Sequence, residues 1–351
     1  MPCKCIKVPE TDYSDKSIVF TSSVHALLDY VKAKADDSRI PFTEQSNVLQ
    51  VHAPGGEKVL GMICEDEAIT DMEKEEIKFV AIDEGAPIDI SIFATIQPVQ
   101  KYCTLRNSAD VIDLIERRAF VSHFQPIVEL ETMEIFGHEC LLRGINRCGE
   151  TVYPGDIFPK ANSNDLIFRL DRLARETALE CSASASVKGS IFINFIPTSI
   201  YNPETCLNTT CAMAEELGID FRRIVFEVVE TERVQDFKHL RNIVDYYKRK
   251  GFRTALDDIG SGYSSLNALA ELEPDIVKID AQIIQNIHKS DLKRSIFDAL
   301  LDVSAKNDIQ LLAEGIETVD EFNYVRERGV DLAQGYYLAK PAPKPRDSIE
   351  I

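Results

Sequence analysis

Long apolar runs are missing from this sequence. No stretch approaches the ~18 consecutive apolar residues that a membrane-spanning helix needs, so no membrane span is expected. The opening residues MPCKCIKVPE lack the apolar core of a secretory signal. The nine cysteines follow no repeating spacing. In a chain this long without an export signal, that pattern predicts reduced thiols and a cytoplasmic location rather than a disulfide scaffold. Positive charge is also scarce. There are 58 Asp and Glu against 39 Lys and Arg, a formal net charge of −19. The basic face that grips duplex nucleic acid is therefore not expected. A phosphate-bearing ligand would need divalent cations beside it.

What is present is an ordinary globular composition, 44% hydrophobic over 351 residues, which is more chain than one core usually organises. The acid excess is densest over residues 1–100 and supports a boundary near there. The expected organisation is a small α/β N-terminal domain over 1–104 with a sensory or regulatory role, a connecting helix over 105–119, and a second domain over 120–345. In the front part, residues 22–34 read as a helix with Leu27, Leu28 and Val31 on one face. Val48–Val51 and Lys58–Cys64 alternate like strands, joined as a hairpin across Pro54-Gly55-Gly56. Glu65 to Glu84 is acid-rich and expected to face solvent. Cys3 and Cys5 are two thiols only, short of a zinc site.

From about residue 120, strand-length apolar runs alternate with helices. The candidate strands are Ile191–Phe195, Ile224–Val229, Phe252–Leu256, Ile276–Ile279, Ile309–Ala313 and Val330–Ala333. Between them, Asp236 to Lys250 is an amphipathic helix. It ends in Lys248, Arg249 and Lys250, which suit the negative helix end, and Gly251 is its left-handed stop. Thr318 and Glu321 form a capping box. Repeated strand–helix units predict an α/β fold, a TIM-like (β/α)8 barrel. An open doubly wound sheet is the alternative, but no Gly-rich phosphate loop follows an early strand.

Barrel chemistry sits where strands end. Here those ends carry Glu139, Asn194, Glu227, Asp257, Asp258, Lys278, Asp280, Glu314 and Gln334. Taken singly, each reads as a helix cap or a solvated loop residue. Taken together they repel, at about 4 kcal/mol per pair of unit charges ~4 Å apart at an effective dielectric near 20. Such a cluster must be protonated, paired or bound to cations. Oxygen-only ligands favour Mg²⁺ or Mn²⁺ over zinc.

These residues, in this order, resemble the EAL family of cyclic di-GMP phosphodiesterases over roughly residues 105–345. Glu139-Cys140-Leu141 stands where the family has Glu-Ala-Leu, and cysteine is small and apolar enough to replace alanine in a core. Phe124-Gln125-Pro126-Ile127-Val128 and Leu142-Arg143 look like the family's substrate-side segments. Leu256 to Leu266 resembles the loop after its fifth catalytic strand, with Ile259 and Ser261 as mild departures. Val277 to Asp280, Ala313 to Glu317 and Gln334 to Tyr337 follow in place.

The resemblance implies an EAL-type barrel that opens cyclic di-GMP to linear pGpG with two divalent cations per site, and inhibition by Ca²⁺. It implies metal ligation by Glu139, Asn194, Glu227, Asp257, Asp258 and Glu314. Lys278 would hold the attacking water, and Glu314 is also a candidate proton acceptor. Gln125, Arg143, Gln334 and Asp280 would face substrate, and Glu230 and Glu317 would brace the Asp258–Ser265 loop. A homodimer through the EAL domain is implied as well. The rival readings are a non-hydrolysing EAL module that binds cyclic di-GMP or a protein partner, and a metal hydrolase of another substrate.

Overall fold

The computed structural model describes residues 12–350 except 165, 201, 229–236 and 261–264. Cys3, Cys5 and Glu230 lie outside the described residues. The chain divides into two compact units: residues 6–116 with 156–166, and residues 117–155 with 167 onward. No helix among the described residues is long and apolar enough to cross a membrane.

The front unit is a five-stranded antiparallel sheet. Its strands are β1 (Lys16–Thr21), β2 (Phe42–Gln45), β3 (Val48–Val51), β4 (Lys78–Asp83) and β5 (Gln97–Pro98), in the order β2-β3-β1-β4-β5. The expected first helix appears as His25–Asp37 and buries Leu27, Leu28 and Val31. The expected strand Lys58–Cys64 is instead part of a helix, Gly55–Glu65. Its buried residues Gly56, Val59, Leu60 and Ile63 recur at three- and four-residue steps, the helical period, which overrides the local alternation. The hairpin is therefore β2–β3. The acid-rich stretch is not wholly solvent-facing, because β4 buries Phe79, Val80 and Ile82. The reduced-thiol expectation also fails in part. Cys64 and Cys103 form a disulfide between the helices Gly55–Glu65 and Val99–Arg106. The two cysteines are 39 positions apart in the chain, so only the packing of those helices reveals the pair. The amphipathic helix expected near 108–118 runs over Ala109–Glu116 and buries Val111, Ile112, Leu114 and Ile115.

The second unit is the expected barrel. Its strands are β6 (Phe120–Glu129), β7 (Ile135–Ile145), a short edge strand β8 (Thr151–Val152), β9 (Ser190–Phe195), β10 (Ile224–Val228), β11 (Arg253–Ile259), β12 (Ile276–Ile279), β13 (Gln310–Ala313) and β14 (Leu332–Ala333). Pairing runs β6-β14-β13-β12-β11-β10-β9-β7, and β6–β7 closes the circle. The neighbours from β7 through β9 to β14 are parallel, whereas β6 is antiparallel to both β7 and β14. The cause is the short connection from Glu129 to Ile135, which suits a hairpin and not a parallel crossover. Side chains alternate across the wall. Outward residues such as Ile191, Ile193 and Phe195 join the core shared with Leu240, Val244 and Tyr247 of the helix Phe237–Lys250. Inward, Ile127, Phe192, Val225, Ala255, Ile276, Leu312 and Leu332 form an apolar plug, one from each of seven strands, with Phe136 of β7 packed against it.

Candidate active site

The next inward position on each strand is polar, because inward residues recur every second position. Two residues beyond the plug come Asn194, Glu227, Asp257, Lys278, Glu314 and Gln334. β6 runs the opposite way, so its contribution, Gln125, lies two residues before Ile127. Gln125 pairs in register with Glu139 of β7. One turn of the barrel thus gathers seven of the nine strand-end residues singled out above; Asp258, at a bulge, and Asp280, past the end of β12, stand beside it.

Lys278 is buried at the centre. Its Nζ lies 2.7 Å from Glu227 Oε1, 3.1 Å from Asp257 Oδ1 and 2.8 Å from Glu314 Oε1. Glu139 is held from both sides. Asn194 Nδ2 donates to its Oε1 at 2.9 Å and Gln334 Nε2 to its Oε2 at 2.7 Å. Glu227 is fully buried, and its Oε2 has no hydrogen-bond partner among the described residues; neither has Gln334 Oε1. At the end of β11 the register slips between Leu256 and Ile259, and Asp258 takes a left-handed φ of 55°. This bulge lets two consecutive carboxylates reach one mouth, where simple alternation would send them to opposite faces. Carboxylate oxygens of Asp257, Asp258 and Glu314 lie within 4.8 Å of one another.

Crowding decides the protonation of these groups. Burial pushes Glu227 well above the usual carboxylate range, with Lys278 opposing and Glu139 and Asp257 adding to the rise. Burial likewise raises Glu314 to about 8, against the pull of Lys278. Asp258 rises to about 7, from burial first and then from Asp257 and a hydrogen bond with Asp280. Burial opposes the charge of Glu139 too, yet Lys278, Gln334 and Asn194 together hold its carboxyl below the usual range. For Lys278, burial disfavours the ammonium, but Asp257, Glu139, Glu227 and Glu314 outweigh it and lift the group well above its ordinary value.

A cavity of about 310 Å³ opens over this layer, lined by Gln125, Glu139, Asp258, Glu314 and Gln334, with Asp280, Gln285, Glu317 and Tyr336 around them. Asp280 also caps the short helix Ala281–Ile284, its Oδ1 accepting from Gln282 N at 2.6 Å. Glu317 is exposed beside the cavity. Arg143 does not line it. Arg143 is buried on β7, its Nη1 donates to Leu142 O at 2.7 Å, and its guanidinium lies 5.2 Å from the Tyr153 ring centroid. Its Nε has no partner among the described residues. Cys140 packs in the outward core with Sγ 3.4 Å from Ser182 Oγ, as expected of an alanine substitute. Sequence reasoning assigned nothing to Gln285 or Tyr336. Tyr336 carried a signal, two residues after Gln334. Gln285 carried none, because it reaches the cavity only through the short helix before it.

Residues 108–341 match the family model for the EAL domain. Probable cyclic di-GMP phosphodiesterase PdeG of Escherichia coli K12 is 31% identical over 234 residues, covering 65% of this chain and 45% of that protein. A standalone EAL protein from Vibrio cholerae O395, solved in its c-di-GMP bound form, is 40% identical with a TM-score of 0.62, covering 66% of this chain and 95% of that one. The calcium/cy-diGMP complex of Klebsiella pneumoniae BlrP1 covers 95% of this chain and 98% of its own with a TM-score of 0.60; at 19% identity the likeness is one of fold alone. The chain spans less than half the length of the curated relatives it matches. The barrel with its one reversed strand, the polar ring at its mouth and the match across two thirds of the residues agree: this chain belongs to the EAL domain family.

Proposed function

We propose that the barrel hydrolyses cyclic di-GMP to linear pGpG with two divalent cations, Mg²⁺ or Mn²⁺, and that Ca²⁺ competes for their sites without supporting turnover. The observation that carries this reading is the layer in which Glu227, Asp257 and Glu314 surround one buried ammonium, with Glu139 in the same layer and Asp258 beside them. The donors fit hard cations: all are oxygens, and Glu227 Oε2 and Gln334 Oε1 are buried without partners among the described residues. Glu139, Asn194, Glu227 and Asp257 would hold one ion and Asp257, Asp258 and Glu314 the other, and the bound pair would acidify the attacking water and offset phosphoryl charge.

The chain's own residues do the rest. Lys278 Nζ orients the attacking water and adds positive charge where the phosphoryl oxygens gain negative charge. Glu314 accepts the proton. Gln125, Gln334 and Asp280 orient the dinucleotide from the cavity wall, and Arg143 turns its fork to a phosphate. Glu317, exposed beside the cavity, supports the carboxylates at the end of β11. The front unit regulates the barrel, and the protein acts in the cytoplasm as a homodimer. An exposed apolar stripe of Leu292, Ile296 and Val303 on the helix Asp291–Lys306 supports that pairing.

Incubation of the purified protein with Mn²⁺ and cyclic di-GMP tests the reading. Appearance of pGpG is the expected result. Binding without product points to a non-hydrolysing module, and absence of both overturns the proposal. Glu139→Ala should remove turnover; near wild-type activity would refute the metal assignment.

A further inference from the structure

Asp171 lies on the helix Ile167–Ser184, behind the barrel wall, and both it and Arg175 are 2% exposed. Asp171 Oδ2 accepts from Arg175 Nε at 3.2 Å and Nη2 at 2.9 Å. Arg175 Nη1 donates to Thr210 Oγ1 at 2.8 Å. The same carboxylate also reaches the chain just past β9: Ile196 N donates to Oδ1 at 2.9 Å and Ser199 Oγ to Oδ2 at 2.7 Å. The turn Pro197–Ser199 has no side-chain cap of its own at Ile196. Asp171 reaches that turn from another element, accepting from the Ile196 N–H and the Ser199 hydroxyl.

A buried ion pair seldom adds net stability over apolar residues of similar shape. What this one does is pin the segment that starts two residues after Asn194, the residue whose amide holds Glu139 Oε1 at 2.9 Å. We propose that Asp171 is a positioning residue: through Ile196 and Ser199 it fixes the end of β9 so that Asn194 is aimed at Glu139 and the site. This rests on the reading of Asn194 and Glu139 as cation ligands.

Two variants of the full chain test it. Asp171→Leu/Arg175→Met replaces the whole pair with apolar residues and so leaves no orphaned charge. Ser199→Ala removes one tie and keeps the pair. Mn²⁺ binding, read by electron paramagnetic resonance, should weaken about tenfold in the double variant, as loss of outer support does at metal sites, and about threefold in Ser199→Ala. Turnover of cyclic di-GMP should lose kcat with KM nearly unchanged. In the cation-free protein, the side-chain amide resonance of Asn194 should move toward that of a free asparagine. Unchanged Mn²⁺ affinity, kcat and Asn194 resonance in a folded variant overturn the proposal. If the double variant does not fold, Ser199→Ala decides by the same three readings. A wild-type protein that takes up no Mn²⁺ sinks the two-cation reading instead, and the Asn194 resonance still judges this one.

Discussion

Replacing Lys278 by methionine should expose how this site manages its charge. The side chain volume is nearly kept, but the ammonium 2.7–3.1 Å from Glu227, Asp257 and Glu314 is gone. Opposite unit charges ~3 Å apart at an effective dielectric near 20 attract by about 5 kcal/mol per pair. Desolvation cancels much of that, and deleting one partner of a buried pair costs about 3–5 kcal/mol. In a unit of this size each kcal/mol moves the melting temperature by roughly 2–4 °C. The variant should therefore melt about 10 °C below wild type at pH 8 in chelator. Near pH 5 the gap should shrink, because Glu227 and Glu314, already raised by burial, take up protons and relieve the repulsion. Saturating Mn²⁺ should close much of the gap at pH 8 by neutralising the same oxygens. Calorimetric scans of both proteins, with chelator and with Mn²⁺, measure all of this. A gap below about 2 °C at pH 8, or one that widens toward pH 5, would refute the idea that Lys278 is the internal counter-ion.

Chelated wild-type protein should lose stability as pH rises from about 4.5 to about 8. Asp258 and Glu314 hold protons up to about 7 and about 8 when folded, well above their values of 3.8 and 4.5 when unfolded. The folded state therefore binds more protons across that window, and stability falls with pH; a rise over the same window, in unfolding measured at several pH values, would contradict the assignment. Mn²⁺ should raise the melting temperature more at pH 8 than at pH 6, since a bound cation must displace those protons. Cys64→Ser/Cys103→Ser should destabilise the front unit by about 2–4 kcal/mol in denaturant titration, because the cross-link closes a loop of 39 residues; no loss would mean the pair is reduced in solution. Cys140→Ala should keep turnover within about twofold, its side chain lying in the outward core away from the cavity; loss of activity would show that this position does more than fill space.

Six of the eight barrel strands, β9 to β14, were legible because each is a short apolar run flanked by turn signals; β6 and β7, 10 and 11 residues long with polar residues along them, did not stand out as strands. The site was legible because each run ends in an acid, an amide or a lysine. Family likeness then ordered those residues into a site. The front unit was harder to read. Val59, Leu60 and Ile63 sit in a stretch that alternates locally, so strand and helix periods compete over seven residues, and only packing against Ile18 and Phe20 decides for the helix. β4 hides within an acidic stretch because Phe79, Val80 and Ile82 are so few. The disulfide was invisible, since nothing local to Cys64 points to Cys103.

In the barrel, the amino-acid order by itself determined most of the elements, several of their caps and which polar groups stand at the strand ends, because these depend on near neighbours and on a period of two or of 3.6. Tertiary structure alone decided that a bulge turns Asp257 and Asp258 to one side and that Lys278 stands among three carboxylates. Those outcomes depend on ring closure and strand register. They bring together residues far apart in the chain, and no local pattern encodes the distances between them.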